Sequence, residues 1–314
     1  MKIIATLPPP HQADRLKAVA EHPLVEEARF NVGMRTPYGP KETLERLLAA
    51  MGGKPLWIDL KGRQLRIMQW AVPTYGDIIL SHKVKVDLPA RIEFRGGQYS
   101  DIVEVRGNRI FVEPDPPSAL GRGQSVNIHG ENLEIDGYLT REDKAYIKAA
   151  KELGIHRYML SFVEGSQDIE DVFALDSKAE MIAKIESLKG LAYIGTLEFN
   201  EYVALNIVRP MAARDDLYAN IGQDKFRIFS ALQSIINSTS EAIVASRLCE
   251  SLRKSTEPSL SDLADLMLLR QIGYREFMLS DELCKDTDAF LRAMETLAVL
   301  GERTRDTVSR ITLD

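Results

Sequence analysis

The chain has 314 residues, of which 45% are hydrophobic and 27% charged, with a formal net charge of −6. That length can bury one barrel-sized core plus a small insert, as expected of a soluble globular protein. The acidic balance offers no field for nucleic acid and the apolar runs fall far short of a membrane span, so neither partner is expected.

Residues 2–7 read as a short strand cut off by Pro8-Pro9-Pro10, with no cleavage-like segment behind it, so a signal peptide is not expected. A helical pattern at 14–21, a strand at 28–32, a helix at 42–51 and a strand at 56–59 follow. From about residue 69 to residue 128 the helical patterns vanish. β-type runs at 77–80, 83–86, 91–94, 102–105 and 109–112 alternate there with turn signals such as Arg95-Gly96-Gly97 and Gly107-Asn108. The alternation then resumes with a helix at 140–153, where Thr140 and Asp143 suit a capping box. Strands at 157–162, 181–185, 241–245 and 276–279 interleave with helices at 166–175, 224–237, 259–271 and 287–304. An eighth strand near 208–213 is interrupted by Pro210.

Eight strand–helix units around one insert predict an α/β fold, a (β/α)8 TIM barrel with a small β-rich lid domain inserted after the third strand. The expected boundaries are 1–68 and 129–314 for the barrel and 69–128 for the lid. A doubly wound sheet would carry a Gly-rich turn after its first strand, where this chain has Leu7-Pro8-Pro9-Pro10. Cys249 and Cys284 form no CxxC and no zinc spacing, which predicts a reduced, cytoplasmic protein with both thiols as small buried hydrophobes. The histidines read as surface or satisfied polar groups, His129 alone lying near a hinge. Lys83, Lys85, Arg91, Arg95, Arg106 and Arg109 give the insert a basic tilt, read as a solvated face, with attraction of a polyanionic substrate as the alternative.

Reactive groups of such a barrel gather where strands end and loops begin. The sequence puts Arg29, Asn31, Asp59, Lys61, Ser161, Lys184, Glu186, Asp216, Ser246 and Glu282 there. Ala183-Lys184-Ile185-Glu186 and, thirty residues on, Arg214-Asp215-Asp216-Leu217 supply one lysine and two carboxylates. Hard anionic oxygens suit Mg²⁺ or Mn²⁺, and an ammonium offsets charge building on a reacting oxygen. The competing reading of these groups is a rim ion pair.

The segments Lys2-Ile3-Ile4-Ala5-Thr6-Leu7-Pro8, Ala28-Arg29-Phe30-Asn31, Ile58-Asp59-Leu60-Lys61-Gly62 with Arg66, Val126-Asn127 and Ser161-Phe162 stand in order along the chain. Ala183-Lys184-Ile185-Glu186, Ala213-Arg214-Asp215-Asp216-Leu217, Val244-Ala245-Ser246-Arg247-Leu248-Cys249-Glu250-Ser251 and Met278-Leu279-Ser280-Asp281-Glu282 continue the series. Together they resemble the pyruvate kinase family, with its Ala-Arg-x-Asn, Asp-Thr-Lys-Gly-Pro-x-x-Arg, Ser-Lys-Ile-Glu, Ala-Arg-Gly-Asp-Leu and Met-Leu-Ser-Gly-Glu segments. The resemblance implies that Glu186 and Asp216 ligate a divalent metal, Mg²⁺ or Mn²⁺. It implies that Lys184 stabilises the transferring phosphoryl group or the enolate, that Arg29 holds phosphate, and that Ser246 stands beside the enolate carbon. Arg66, Lys61, Ser161 and Asp215 would surround the substrate, and Asn31 and Asp59 would belong to a monovalent-cation site for K⁺.

Several positions depart from the family. A serine that ligates the monovalent ion is Gly33 here, and the next histidine is Met34. Arg63 replaces a proline and Gln64 a glutamate. In the lid, Gly96 stands for an aspartate and Gly123 or Gln124 for a nucleotide-contacting lysine, with Arg122 the nearest cation. The spacing from Glu186 to Asp216 is also longer than usual, and the resemblance stops at the last barrel helix, without the family's C-terminal regulatory domain. The expectation is a divalent-metal-dependent phosphotransferase acting on phosphoenolpyruvate, with a nucleoside diphosphate as the default acceptor. A lyase, aldolase or decarboxylase working on a pyruvate-type enolate stays open, as do a catalytically silent binding protein and a homo-oligomer.

Overall fold

The computed structural model describes residues 1–69, 77–94, 97–116 and 118–311, the last nine as backbone only. Arg95 and Gly96, singled out above in the lid turn, lie outside these residues.

Eight parallel strands close into a barrel. They are Lys2–Thr6, Glu27–Asn31, Leu56–Leu60, Arg157–Leu160, Glu180–Ile185, Val208–Ala213, Ile243–Ala245 and Glu276–Met278. The ring shuts where the first strand pairs with the eighth, Lys2 against Glu276 and Ile4 against Met278. Helices such as Ala13–Ala20, Pro40–Met51, Arg141–Glu152 and Leu260–Ile272 stand between successive strands. The proline expected to break the sixth strand does not. Pro210 pairs with Ala183 on one side, and the ladder to the seventh strand begins only after it, at Met211.

Strand alternation builds two cores. Outward residues such as Ala5, Phe30, Ile58, Leu160 and Ile185 pack under the helices. The inward set Ile4, Trp57, Met159, Ile182, Met211, Ile243 and Met278 forms a separate plug inside the barrel. Below the plug, at the strands' amino ends, Lys2 and Arg209 pair with Glu27 and Glu276. Two residues above the plug, the same register delivers Thr6, Asp59, Ser161, Lys184 and Ser280 to the carboxyl-end rim. The barrel is thus filled in its middle and chemically equipped at one end.

Between the third and fourth barrel strands lies a five-stranded antiparallel sheet, in the order Ile78–Ile79, Arg109–Glu113, Gln98–Arg106, Ala90–Phe94 and Asn127–His129. It has its own apolar cluster around Ile67, Leu80, Ile92 and Ile110. Among the described residues, the basic side chains named above for this insert are each matched by an acid. Lys83 faces Asp136, Lys85 Glu134, Arg91 Asp101, Arg106 Glu104 and Arg109 Asp77. Four short helices escaped the sequence pattern: Leu188–Tyr193, Leu197–Ala204, Arg214–Asn220 and Asp281–Cys284. The terminal helix runs past its expected end, from Thr287 to Ile311. No described helix is long and apolar enough to cross a membrane.

One buried carboxylate ties the third strand to its following helix. Asp143 completes the capping box with Thr140. Its oxygens accept from the backbone N–H of Lys61 at 2.8 Å, of Gly62 at 3.2 Å and of Thr140 at 2.9 Å. The turn it holds is tight: a Cβ on Gly62, at φ +49°, would lie 2.7 Å from the Ser161 carbonyl oxygen. Asp143→Ala strands these buried donors and should cost about 3 kcal/mol or more of stability, read from urea denaturation. Asp143→Asn, which keeps one oxygen acceptor, should lose less.

Candidate active site

The carboxyl ends of the strands open into a cavity of about 1420 Å³ between the barrel rim and the inserted sheet. Every residue of the sequence-derived site lines it: Arg29, Asn31, Asp59, Lys61, Arg66, Ser161, Lys184, Glu186, Asp215, Asp216 and Ser246. They do not stand equally close to one another.

The centre is a chain of buried charges. Lys184, on the fifth strand, donates to Ser161 Oγ at 2.8 Å. Its ammonium lies 3.2 Å from Glu186 Oε1 and 3.5 Å from Asp59 Oδ1. Burial disfavours the ammonium, but Asp59 and Glu186 outweigh it, so its pKa is raised and it stays charged. Ser161 is itself fixed, since its hydroxyl donates to the Leu60 carbonyl at 2.8 Å. Glu186 is 1% exposed, and its Oε2 accepts the Phe162 N–H at 2.7 Å. That N–H is aimed by a left-handed backbone at Phe162, φ 52°.

Asp216 reaches the same point from the start of the helix Arg214–Asn220 and hydrogen-bonds Glu186. Burial first, then the neighbouring Asp216 charge, pushes the Glu186 carboxyl up to about 8 despite Lys184. Burial likewise raises Asp216. Two carboxyl groups in contact inside a pocket are a pair of hard oxygen donors whose mutual repulsion a divalent cation offsets. No described group of three or more His, Cys, Asp and Glu side chains makes a metal site.

Arg29, on the second strand, is 8% exposed and fully engaged. Its Nε donates to Asp59 Oδ2 at 2.6 Å, and Nη2 approaches the same oxygen at 2.5 Å. Nη1 donates to Thr6 Oγ1 at 2.9 Å and to Asp281. Asn31 donates through Nδ2 to Asp281 Oδ2 at 2.8 Å, while its Oδ1 accepts the Gly33 N–H at 2.9 Å. A Cβ on Gly33 would meet Asn31 Oδ1 at 3.0 Å and an Arg66 nitrogen at 3.4 Å, so the bare glycine lets Arg66 lie across this corner. Arg66 donates to the Gly123 carbonyl at 2.9 Å, and its buried Nε has no hydrogen-bond partner among the described residues. Burial depresses its pKa, and the acidic ring of Asp59, Asp143, Asp216 and Asp281 partly restores it.

Other expected site residues stand at the periphery. Lys61 pairs with Glu142 on the rim. Asp215 turns outward to Arg247. Ser246 sits in a loop where Ser246, Arg247 and Cys249 all adopt positive φ, held by Arg214 donating to the Ser246 carbonyl at 2.6 Å. Glu282 lines the mouth and is exposed. Arg63 leaves the site altogether, pairing with Glu164 and the buried Asp168. His129 pairs with Glu93 on the insert. Both cysteines are buried and pushed up to about 12 by burial, which leaves them unreactive thiols.

Asp281 and Thr6 are the contacts that sequence reasoning did not assign. Thr6 lay inside the first matching segment, and Asp281 stands where the family segment has a glycine. An acid in place of glycine at a strand end was the available signal.

A family model described as pyruvate kinase, barrel domain, matches residues 96–287. The chain is 27% identical over 281 residues to the pyruvate kinase of Thermoplasma acidophilum, covering 81% of this chain and 49% of that protein. It is 24% identical to the pyruvate kinase of Corynebacterium efficiens, across 64% of this chain and 42% of the relative. Against a pyruvate kinase of Agrobacterium vitis it is 28% identical, across 65% and 41%. It therefore spans about half the length, or somewhat less, of the curated relatives it matches. With a closed eight-stranded parallel barrel and more than half of its length matched by that model, the chain belongs to the pyruvate kinase barrel-domain family.

Proposed function

We propose that this protein is a divalent-metal-dependent phosphotransferase that uses phosphoenolpyruvate and passes through the enolate of pyruvate. The observation that carries the reading is the buried Lys184 ammonium, 3.2 Å from Glu186 and opening on the same cavity as the Glu186–Asp216 pair. Phosphoryl transfer needs charge neutralisation and placement more than covalent chemistry from the protein.

Glu186 and Asp216 are the residues that would hold Mg²⁺ or Mn²⁺. A bound ion supplies Lewis-acid stabilisation of the enolate oxygen. Lys184 supplies a fixed positive charge to the oxygen that gains charge as the phosphoryl group leaves, and Ser161 and Asp59 hold it in place. Arg66, whose guanidinium lines the cavity, would hold an anionic group at the mouth. Ser246, on the loop of positive-φ residues after the seventh strand, would pass a proton to the enolate carbon. The inserted sheet is the lid, excluding water from the transferring group when it closes. Arg35 already links barrel to insert, through the carbonyl oxygen of Arg122. The acceptor is a nucleoside diphosphate that enters beside Arg122.

The donor set does not fit K⁺. Asp59 already lies between Arg29 and Lys184, Asn31 presents its Nδ2 to Asp281, and Gly33 brings no oxygen side chain. A further cation would sit against two fixed positive charges. A second reading, a lyase acting on a pyruvate-type enolate, draws on one observation: every nitrogen of Arg29 is already engaged by protein groups.

Lys184→Met should lower metal-dependent pyruvate release from phosphoenolpyruvate about 10³-fold or more while Mn²⁺ binding, followed by electron paramagnetic resonance, persists. Glu186→Ala should remove both. Full activity in Lys184→Met would rule out the role given to the ammonium. Replacing K⁺ by tetramethylammonium should leave the rate of the unmodified protein unchanged, and a requirement for K⁺ would show that Asn31 and Asp59 do take the ion.

A further inference from the structure

Each nitrogen of Arg29 meets a protein acceptor. Asp59 takes Nε and Nη2, while Thr6 and Asp281 take Nη1. The Asp59 and Thr6 contacts come from neighbouring barrel strands beneath and beside the guanidinium. Asp281 differs in kind. It arrives from the loop after the eighth strand, at the first position of the four-residue helix Asp281–Cys284 capped by Ser280. Its side chain is 16% exposed and lines the open cavity. One oxygen receives Arg29 and the other receives Asn31 at 2.8 Å. A carboxylate that spans a guanidinium and an amide N–H2 occupies the seat an incoming phosphoryl oxygen would need, with the same charge and the same acceptor geometry.

Burial works against the Asp281 charge, yet Arg29 and Asn31 hold the carboxyl below the usual carboxylate range. It competes as a full anion. Lys285, one turn further along, is exposed, lines the same cavity and faces Asp281 electrostatically. A carboxylate leaving Arg29 therefore has a second cation within the same loop.

On the phosphoenolpyruvate reading above, we propose that Asp281 is a specificity-determining residue, an internal carboxylate that a phosphoryl group must displace from Arg29 and Asn31. It selects against ligands whose affinity depends on a phosphoryl group seated on Arg29, and leaves ligands with a single carboxylate comparatively untouched. The electrostatics agree: Asp281 and Asp59 both face Arg29, so the seat already holds negative charge before a substrate arrives.

The test is calorimetric titration of the full chain, of Asp281→Asn and of Asp281→Gly with phosphoenolpyruvate and, separately, with pyruvate, each in excess Mg²⁺. Both substitutions should tighten phosphoenolpyruvate about tenfold or more, as expected when a charged competitor is removed, while pyruvate changes far less. The neutral Asp281→Asn keeps the size and the acceptor oxygen, so a gain there separates charge competition from loss of packing. Phosphoenolpyruvate binding that is equal in all three proteins, or that shifts in parallel with pyruvate, overturns the role of Asp281 and leaves the proposed function standing. Binding of pyruvate but of phosphoenolpyruvate by none of the three overturns the phosphotransferase reading itself, and the displacement with it.

Discussion

Asp59 is the residue around which the barrel mouth is organised. It is 3% exposed, and it faces Arg29 with one oxygen and Lys184 with the other. Burying a carboxylate, a guanidinium and an ammonium together is costly unless each is paired and hydrogen-bonded, and removing one partner leaves an uncompensated charge. The barrel register supplies the pairing. Asp59 lies two residues above Trp57, Lys184 two above Ile182 and Ser161 two above Met159, so each polar group stands on an apolar residue of the plug. The second strand shows the same rule with a different filling, carrying Glu27, Arg29 and Asn31 along one face from the ion cluster at the base to the rim.

The consequence is a site whose charges are set by strands rather than by loops. Lys184, Glu186, Arg29 and Asp59 belong to strands or the residue just beyond them, where alternation and parallel pairing fix direction. Asp216, Ser246 and Asp281 come instead from short turns and helix starts. Those turns are constrained in their own way, by Arg214 gripping the Ser246 carbonyl and by the Ser280 cap.

Much of this was legible in the sequence because its signals are periodic. Apolar runs alternating with helical patterns outlined the eight strands, and the β-type runs between residues 77 and 112 fall in the antiparallel sheet and the short strand beside it. Pro210 misled only as far as a missing N–H suggests a broken ladder, and here the ladder to the seventh strand starts beyond it. Short helices such as Leu188–Tyr193 and Arg214–Asn220 span too few turns to show a period. At the site, the strand-end residues were visible as a set, and the cavity collects them. Their partners were not. That Arg29 would meet Asp281, 252 residues away, or that Lys61 would turn to Glu142, depends on the closure of the ring and on the path of loops, which no local pattern encodes.

Arg35, on the loop after the second barrel strand, reaches the insert through the main-chain oxygen of Arg122 rather than a side chain, and Arg66, itself bridged to Ser125, holds the main-chain oxygen of Gly123 from within the insert. A latch of that kind is blind to residue identity. Apart from Gly123, whose φ of +88° suits glycine, the residues from Arg122 to Ser125 can exchange their side chains, and with them what they present to the cavity, without releasing that grip. On the function proposed above, drift in acceptor preference is thereby uncoupled from the geometry of the buried charges around Asp59, so the lip of the cavity can change while its floor stays as it is.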